Sequence, residues 1–172
     1  MQSNRPVSLT AGLCAALVAM APLAAGAAVD VTFEAPEHYR DAGLYRDYGT
    51  TADAPALRHL RQHLEELGDE MLPESASLFV TVVDVDLAGR FEWWQGHAYD
   101  VRILRDVTWP SISLRYQLKE GDRVIAEGEE TVSDMTYLQT TPAGLSRDPL
   151  RYEKAMLSDW FRARFGDRSR GG

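Results

Sequence analysis

Two aspartates, Asp84 and Asp86, alternate at the end of an apolar segment and form the best candidate for a polar site in this sequence. Side chains two residues apart on a strand point to the same side of a sheet, so both carboxylates are expected to face the same way. Such a pair can bind Ca²⁺ or Mg²⁺, or can divide acid and base roles between its members. The alternative, which we favour because no aspartate-rich loop follows, is a strand that passes into solvent or an Asp84 paired with Arg102 or Arg115.

A pair of tryptophans, Trp93 and Trp94, is followed by Gly96 and His97 and is the best candidate for a binding surface. Neighbouring residues on a strand point to opposite faces, so one indole can pack in the core while the other is exposed. Exposed aromatic side chains anchor protein interfaces and stack on sugars. The alternative, which we favour, is that at least one of the two packs beneath the sheet or the last helix.

His59 and His63 lie four residues apart on a predicted helix, a spacing that can place two imidazoles on one metal ion. The segment lacks the glutamate that follows the first histidine of metalloprotease motifs, and both positions lie off the apolar stripe of the helix. We therefore predict a solvent-exposed helix face here, with no metal site and no cofactor. The chain also has no G-x-S-x-G motif and no glycine-rich phosphate-binding loop.

Hydrophobic periodicity predicts an α+β fold, an antiparallel β-sheet meander with two main helices packed on it, after an N-terminal signal peptide. Leucines recur at helical spacing after Pro55, a second amphipathic segment follows Pro149, and Gly121 lies in a predicted hairpin turn. We predict strands over 29–33, 77–87, 100–107, 111–118 and 123–132, a helix over 53–71 capped by Asp53, and a last helix capped by Asp148 and ended by Gly166.

The first 27 residues have the pattern of a secretory signal peptide, with Arg5, an apolar run and a small-residue end that includes Ala25 and Ala27. The apolar run is about 15 residues, shorter than the roughly 20 that a membrane-spanning helix needs. We therefore predict cleavage near Ala27, a periplasmic location and no permanent membrane span. A single α+β domain is expected over 28–166, with a disordered tail over 167–172.

Charge and cysteine content exclude several classes of function. Cleavage removes Arg5 and no other charge, so the formal net charge of −8 becomes −9. An acidic domain repels phosphate backbones, which makes nucleic acid and anionic membranes poor partners. Cleavage also removes Cys14, the only cysteine, so no disulfide and no cysteine-based metal or redox site is expected.

Several segments, in order over nearly the whole mature chain, carry a family resemblance. They are 31–37, 41–42, 83–89, 101–104, 112–118 and 153–161, together with Asp134 and Tyr137. In these segments the chain resembles an uncharacterised family of exported proteobacterial proteins, domain of unknown function 3016. The resemblance implies an exported protein, and it implies no reaction and no catalytic residues.

The sequence therefore predicts an exported, periplasmic protein of unknown function, best described as a non-catalytic binding or envelope-associated module. Its partner is expected to be an envelope protein, a glycan or a small ligand, contacted through Trp93, Trp94, His97, Asp84 and Asp86. The alternative is a small metal-dependent or hydrolytic periplasmic enzyme that uses the two aspartates and His97.

Overall fold

A computed structural model describes residues 28–44, 51–92, 101–139 and 144–166 of the chain. The described residues form six strands, two long helices and two short 3₁₀ turns. The strands are β1 (Ala28–Phe33), β2 (Ala76–Asp86), β3 (Arg90–Phe91), β4 (Arg102–Ile103), β5 (Ser111–Glu120) and β6 (Arg123–Ser133). The helices are α1 (Pro55–Met71) and α2 (Arg151–Phe165), and the 3₁₀ turns are Pro36–His38 and Tyr137–Gln139.

The main sheet has the strand order β1-β2-β5-β6, and the predicted α+β class is confirmed. β2, β5 and β6 are antiparallel neighbours, as expected for a meander. β1 pairs with β2 in parallel, because α1 carries the chain back along the sheet before β2 begins. β3 and β4 form a separate two-stranded antiparallel pair inserted between β2 and β5.

Both helices cover the same face of the main sheet. The predicted leucine stripe of α1 is buried, and α2 buries large apolar side chains that include Met156, Leu157, Trp160, Phe161 and Phe165. Along β2, Leu78, Val80 and Val82 lie in this core, whereas Phe79 between them is 41% exposed. Alternation along the strand therefore separates a covered face from an open face.

The two predicted helix caps differ from the structure. α1 begins at Pro55 with Ala54 as its N-cap and no side-chain capping bond, because proline occupies the first helical position and Asp53 falls one residue too early. α2 begins at Arg151 with Leu150 as its N-cap. Asp148 acts in the preceding turn instead, where Oδ1 accepts a bond from the Leu150 N–H at 2.8 Å.

The hairpin turn between β5 and β6 follows the prediction. Gly121 has a φ of 57°, a left-handed conformation that glycine adopts without strain, and β5 and β6 pair on either side of it. None of the helices that the structure describes is long and apolar enough to cross a membrane.

Candidate functional site

Asp84 and Asp86 lie at the carboxyl end of β2, just beyond an irregularity in the pairing of β2 with β5. Their carboxylates face one guanidinium, as their alternation predicts. Arg40 Nε donates to Asp84 Oδ2 at 2.5 Å, and Arg40 Nη1 lies 3.6 Å from Asp86 Oδ2. The hydrogen bond to Asp84 also raises the pKa of the Arg40 guanidinium.

The ion-pair partner of Asp84 differs from both residues suggested by the sequence. Arg115 pairs with Glu34, Arg102 pairs with Asp41, and Arg40 takes the place beside Asp84. The reason is the path of the chain after β1, which turns at residues 36–38 and rejoins β2. There the Asp41 N–H donates to Val85 O and the Leu87 N–H donates to Asp41 O, both at 2.9 Å.

Three arginines and three aspartates form one group at this end of the sheet, which we call the arginine–aspartate cluster. Arg90 Nη2 lies 2.7 Å from Asp86 Oδ1 and completes it. The formal charges of the six side chains balance, so the cluster holds its carboxylates as internal ion pairs. Its members are Arg40, Asp41, Asp84, Asp86, Arg90 and Arg102.

Arg102 is the central member of the cluster. Its guanidinium donates to both carboxylate oxygens of Asp41 and to the Gly43 carbonyl at 2.9 Å. It also donates to the carbonyls of Leu87, Ala88 and Gly89 at 2.8–3.1 Å. One side chain on β4 thereby joins the segment after β1 to the turn after β2.

The turn between β2 and β3 depends on a glycine. Gly89 has a φ of 78°, and a Cβ at this position would lie 2.7 Å from the Ile103 carbonyl oxygen on β4. A larger residue would therefore push β4 away from the turn. Gly89 also brings its own carbonyl within reach of the Arg102 guanidinium.

Trp93, Trp94 and His97 lie in residues 93–100, outside the described residues, but the residues on either side of this segment are firmly held. Arg90 and Phe91 pair with Ile103 and Arg102 across β3 and β4. Glu92, only 5% exposed, accepts two bonds from Arg105 at 2.8 and 2.9 Å. The Glu92 carboxylate raises the pKa of the Arg105 guanidinium.

A buried carboxyl group that the sequence analysis missed lies beside the cluster. Glu153 on α2 is 1% exposed, and its Oε1 accepts a bond from the Ala88 N–H at 2.7 Å. Among the described residues Oε2 has no hydrogen-bond partner, and burial raises the pKa of the carboxyl. Helical spacing could have revealed it, because Glu153 precedes Met156, Leu157 and Trp160 by three, four and seven residues and so lies on the apolar side.

The two helix histidines have different environments. His59 is exposed as predicted, whereas the prediction for His63 is wrong, because its side chain is 16% exposed and packs between the helices. His63 Nε2 lies 3.0 Å from the Lys154 carbonyl oxygen and 2.9 Å from Ser158 Oγ. Its role is a contact between α1 and α2, and burial lowers its pKa. Across the described ranges, no three His, Cys, Asp or Glu side chains are grouped so that they could hold a metal ion.

The fold and the site define an α+β protein in which the carboxylates of Asp41, Asp84 and Asp86 are held in ion pairs with arginines. The chain belongs to the family of proteins of unknown function DUF3016, whose model matches residues 27–163. The resemblance predicted from the sequence is thereby confirmed. No curated protein sequence matches the chain. A crystal structure of a DUF330 protein from Xanthomonas campestris is similar at 15% identity and a TM-score of 0.29, covering 87% of this chain and 86% of that one.

Proposed function

We propose that this protein is an exported, periplasmic module that binds an envelope protein, a glycan or a small ligand and catalyses no reaction. The observation that carries the proposal is the state of the candidate acid–base pair. Asp84 and Asp86 are each held by a guanidinium at 2.5–2.7 Å, in a cluster whose charges balance. Carboxylates held in ion pairs fix the position of the chain. A general acid or base instead needs an oxygen that is free to exchange a proton with a substrate.

The same pairing weakens the alternative of a metal-dependent or hydrolytic enzyme built on Asp84, Asp86 and His97. A divalent ion at the aspartates would have to displace Arg40 and Arg90 and leave two guanidinium groups without partners. Displacing Arg40 and Arg90 would break the ion pairs that join the segment after β1, the end of β2 and the start of β3. Thermal unfolding with and without added Ca²⁺ or Mg²⁺ tests this alternative, for which a raised midpoint is the expected sign.

The proposed binding surface is the segment that carries Trp93, Trp94 and His97. The β3–β4 pair and the Glu92–Arg105 ion pair hold the chain immediately before and after it. A short segment that is anchored at both ends loses less conformational entropy on binding than a free one. The cluster residues hold the turn after β2, from which the β3–β4 pair and this segment follow.

Export is supported by the signal-like pattern of the first 27 residues and by the position of the first strand. β1 begins at Ala28, so cleavage near Ala27 would leave the sheet complete, and we propose residues 28–166 as the mature domain. The test is fractionation of a bacterial host that expresses the full chain, with mass spectrometry of the periplasmic product. We expect an N-terminus at or near Ala28, and we expect the variant Leu17→Arg, which interrupts the apolar run, to stay in the cytoplasm.

Binding is tested by capture from periplasmic extract with the purified mature chain. The double variant Trp93→Ala/Trp94→Ala should lose a partner that the wild type retains. Trp109→Ala is the matched control, because Trp109 is a 37% exposed tryptophan outside the 93–100 segment of the sequence. A partner lost equally from both variants, or absent from the wild type, would count against the proposed surface.

A further inference from the structure

A cleft of about 510 Å³ lies between β6 and α2. Residues 130–134 line it on one side and four residues of α2 line it on the other, Met156, Asp159, Trp160 and Ala163. Successive residues of a strand point to opposite faces of a sheet. A cleft lined by five consecutive residues is therefore walled by the edge of the strand and not by one of its faces.

β6 is the last strand of the main sheet, and its outer edge is open. In residues 28–44, 51–92, 101–139 and 144–166, β6 pairs only with β5. Its outward backbone N–H and C=O groups are thus available to a further strand. An open strand edge beside a helix-lined groove is the geometry by which a domain binds an extended peptide through strand addition.

Two apolar side chains, Met156 and Trp160, form the floor of the cleft, and the rest of its lining is mainly polar. Both side chains are buried in the core, and the Trp160 indole N–H donates to Glu130 Oε2 at 3.2 Å. Arg164 also donates to this Glu130 oxygen, at 2.9 Å from Nη2. Every second side chain of an added strand would therefore face an apolar floor whose tryptophan is fixed by a hydrogen bond.

The charges around β6 select the kind of strand that can be added. Glu127 and Glu129 lie on its exposed face, whereas the two aspartates that line the cleft are already engaged, Asp159 with Arg162 and Asp134 with Thr136. Antiparallel pairing with β6 of a second copy, centred on Gly128, would place Glu127 of each chain opposite Glu129 of the other, and like charges opposite one another destabilise a sheet. A strand with basic side chains meets no such repulsion, so a second copy is the disfavoured occupant.

We propose that the β6–α2 cleft binds an extended segment of a partner protein, in which apolar and basic residues alternate. The segment adds to β6 as a fifth strand, its apolar side chains cover Met156 and Trp160, and its basic side chains lie beside Glu127 and Glu129. This surface is separate from the Trp93–Trp94 segment, and the inference holds whether or not that segment binds anything.

The test uses the mature chain and a short, labelled, blocked peptide of alternating valine and lysine, with fluorescence anisotropy as the measurement. A peptide of alternating valine and glutamate is the comparison and should not bind. Ala163→Phe fills the cleft from an exposed helix position, and Glu129→Lys reverses a charge that the basic side chains of the added strand would contact. Each should weaken binding of the valine–lysine peptide by about tenfold, the effect of losing one important interface contact.

Asp69→Lys is the matched control, because Asp69 is an exposed residue of α1 outside the cleft and its replacement changes the net charge equally. We expect its affinity to stay within about twofold of the wild type, as for a change outside an interface. Equal weakening by Asp69→Lys and Glu129→Lys would show charge attraction without a site and overturn the proposal. Absence of binding by the wild type, or amide-exchange protection on β1 rather than β6, would also overturn it.

Discussion

Arg102 contacts Asp41 through both of its terminal nitrogens, with Nη1 3.2 Å from Oδ1 and Nη2 2.9 Å from Oδ2. The two residues lie 61 positions apart in the chain. The same guanidinium donates to the backbone carbonyl of Gly43, in the segment after β1, and to that of Gly89, in the turn after β2. This one ion pair therefore connects the segment that follows β1 to the turn that positions β3 and β4.

Replacing Arg102 by lysine should destabilise the fold markedly. A single ammonium cannot reproduce the fork of donors, so Asp41 and several carbonyls would lose their partners. The Arg102 side chain is 11% exposed, and breaking a buried ion pair typically costs about 3–5 kcal/mol. Because lysine keeps the positive charge, we expect a loss of about 2–4 kcal/mol in the free energy of unfolding. Urea unfolding measures the loss. Arg115→Lys, which alters the exposed pair with Glu34, should cost less than about 1 kcal/mol.

Glu153 should make the stability of the protein depend on pH. Burial raises the pKa of its carboxyl, while the Ala88 N–H, Arg102 and Arg151 oppose this shift. Because the folded pKa lies above the unfolded value, the contribution of Glu153 is fully present below the unfolded pKa and is lost as pH rises through the folded pKa. Above that pH, the folded protein carries a buried charge whose Oε2 has no partner among the described residues.

The variant Glu153→Gln removes this titration and retains an oxygen that can accept the Ala88 N–H. Its free energy of unfolding, relative to the wild type, should rise as pH increases above about 4.3, the ordinary pKa of a glutamate. Urea unfolding across this range measures the difference. A difference that stays constant with pH would contradict the assignment of a raised pKa to this group.

Gly68 allows α1 to lie directly against β1. A Cβ at this position would overlap the Cγ2 methyl of Val29, and valine has little freedom to turn aside. Gly68→Ala should therefore cost about 1–2 kcal/mol, the overlap exceeding the gain of about 1 kcal/mol in helix propensity. The double variant Gly68→Ala/Val29→Ala relieves the overlap and should recover most of the loss. Additive effects in this double-mutant cycle would argue against the contact.

Much of the fold could be predicted because its elements are encoded locally. The stripe of Leu57, Leu60, Leu64 and Leu67 repeats at helical spacing, and all four side chains are buried as the pattern requires. The conformation of Gly121 follows from the residue type and its place between two alternating segments. The parallel direction of β1 could not be predicted in this way, because alternation shows which face is buried and not which strand lies alongside.

The candidate site, like the fold, could be predicted where it depends on local sequence and not where it depends on long-range contacts. The shared orientation of Asp84 and Asp86 follows from their spacing, and both carboxylates face Arg40. The identity of this arginine depends on the route of the chain after β1, since the contact joins residues 44 positions apart. Burial of Glu153 was detectable from its helical spacing, but its bond to Ala88 requires the packing of α2 against the turn after β2.

His63 connects the two helices, and its protonation should lower the stability of the fold because the charged ring is partly buried. Nε2 faces the Lys154 carbonyl oxygen, which can only accept, so the neutral ring carries its proton on Nε2. Burial lowers the pKa of His63, and the charge of the Lys154 ammonium acts in the same direction, whereas the hydrogen bond to the Lys154 carbonyl, Glu66 and Asp148 oppose the shift. A histidine pKa that falls on folding means that the unfolded chain binds the proton more tightly, so stability decreases as pH drops below the unfolded pKa of about 6.5.

The variant His63→Gln should lower the free energy of unfolding by about 1 kcal/mol near pH 8, because it disturbs the bonds to the Lys154 carbonyl and Ser158. It should also remove part of the decrease in stability that the wild type shows between about pH 7 and pH 5. His59→Gln is the control, since His59 lies one turn earlier on the same helix and is exposed. Urea unfolding of the wild type and the two variants across this range measures the difference. The pH profile of His63→Gln should differ from the other two, because only the buried ring links helix packing to pH. Identical pH profiles for the two variants would disprove that link.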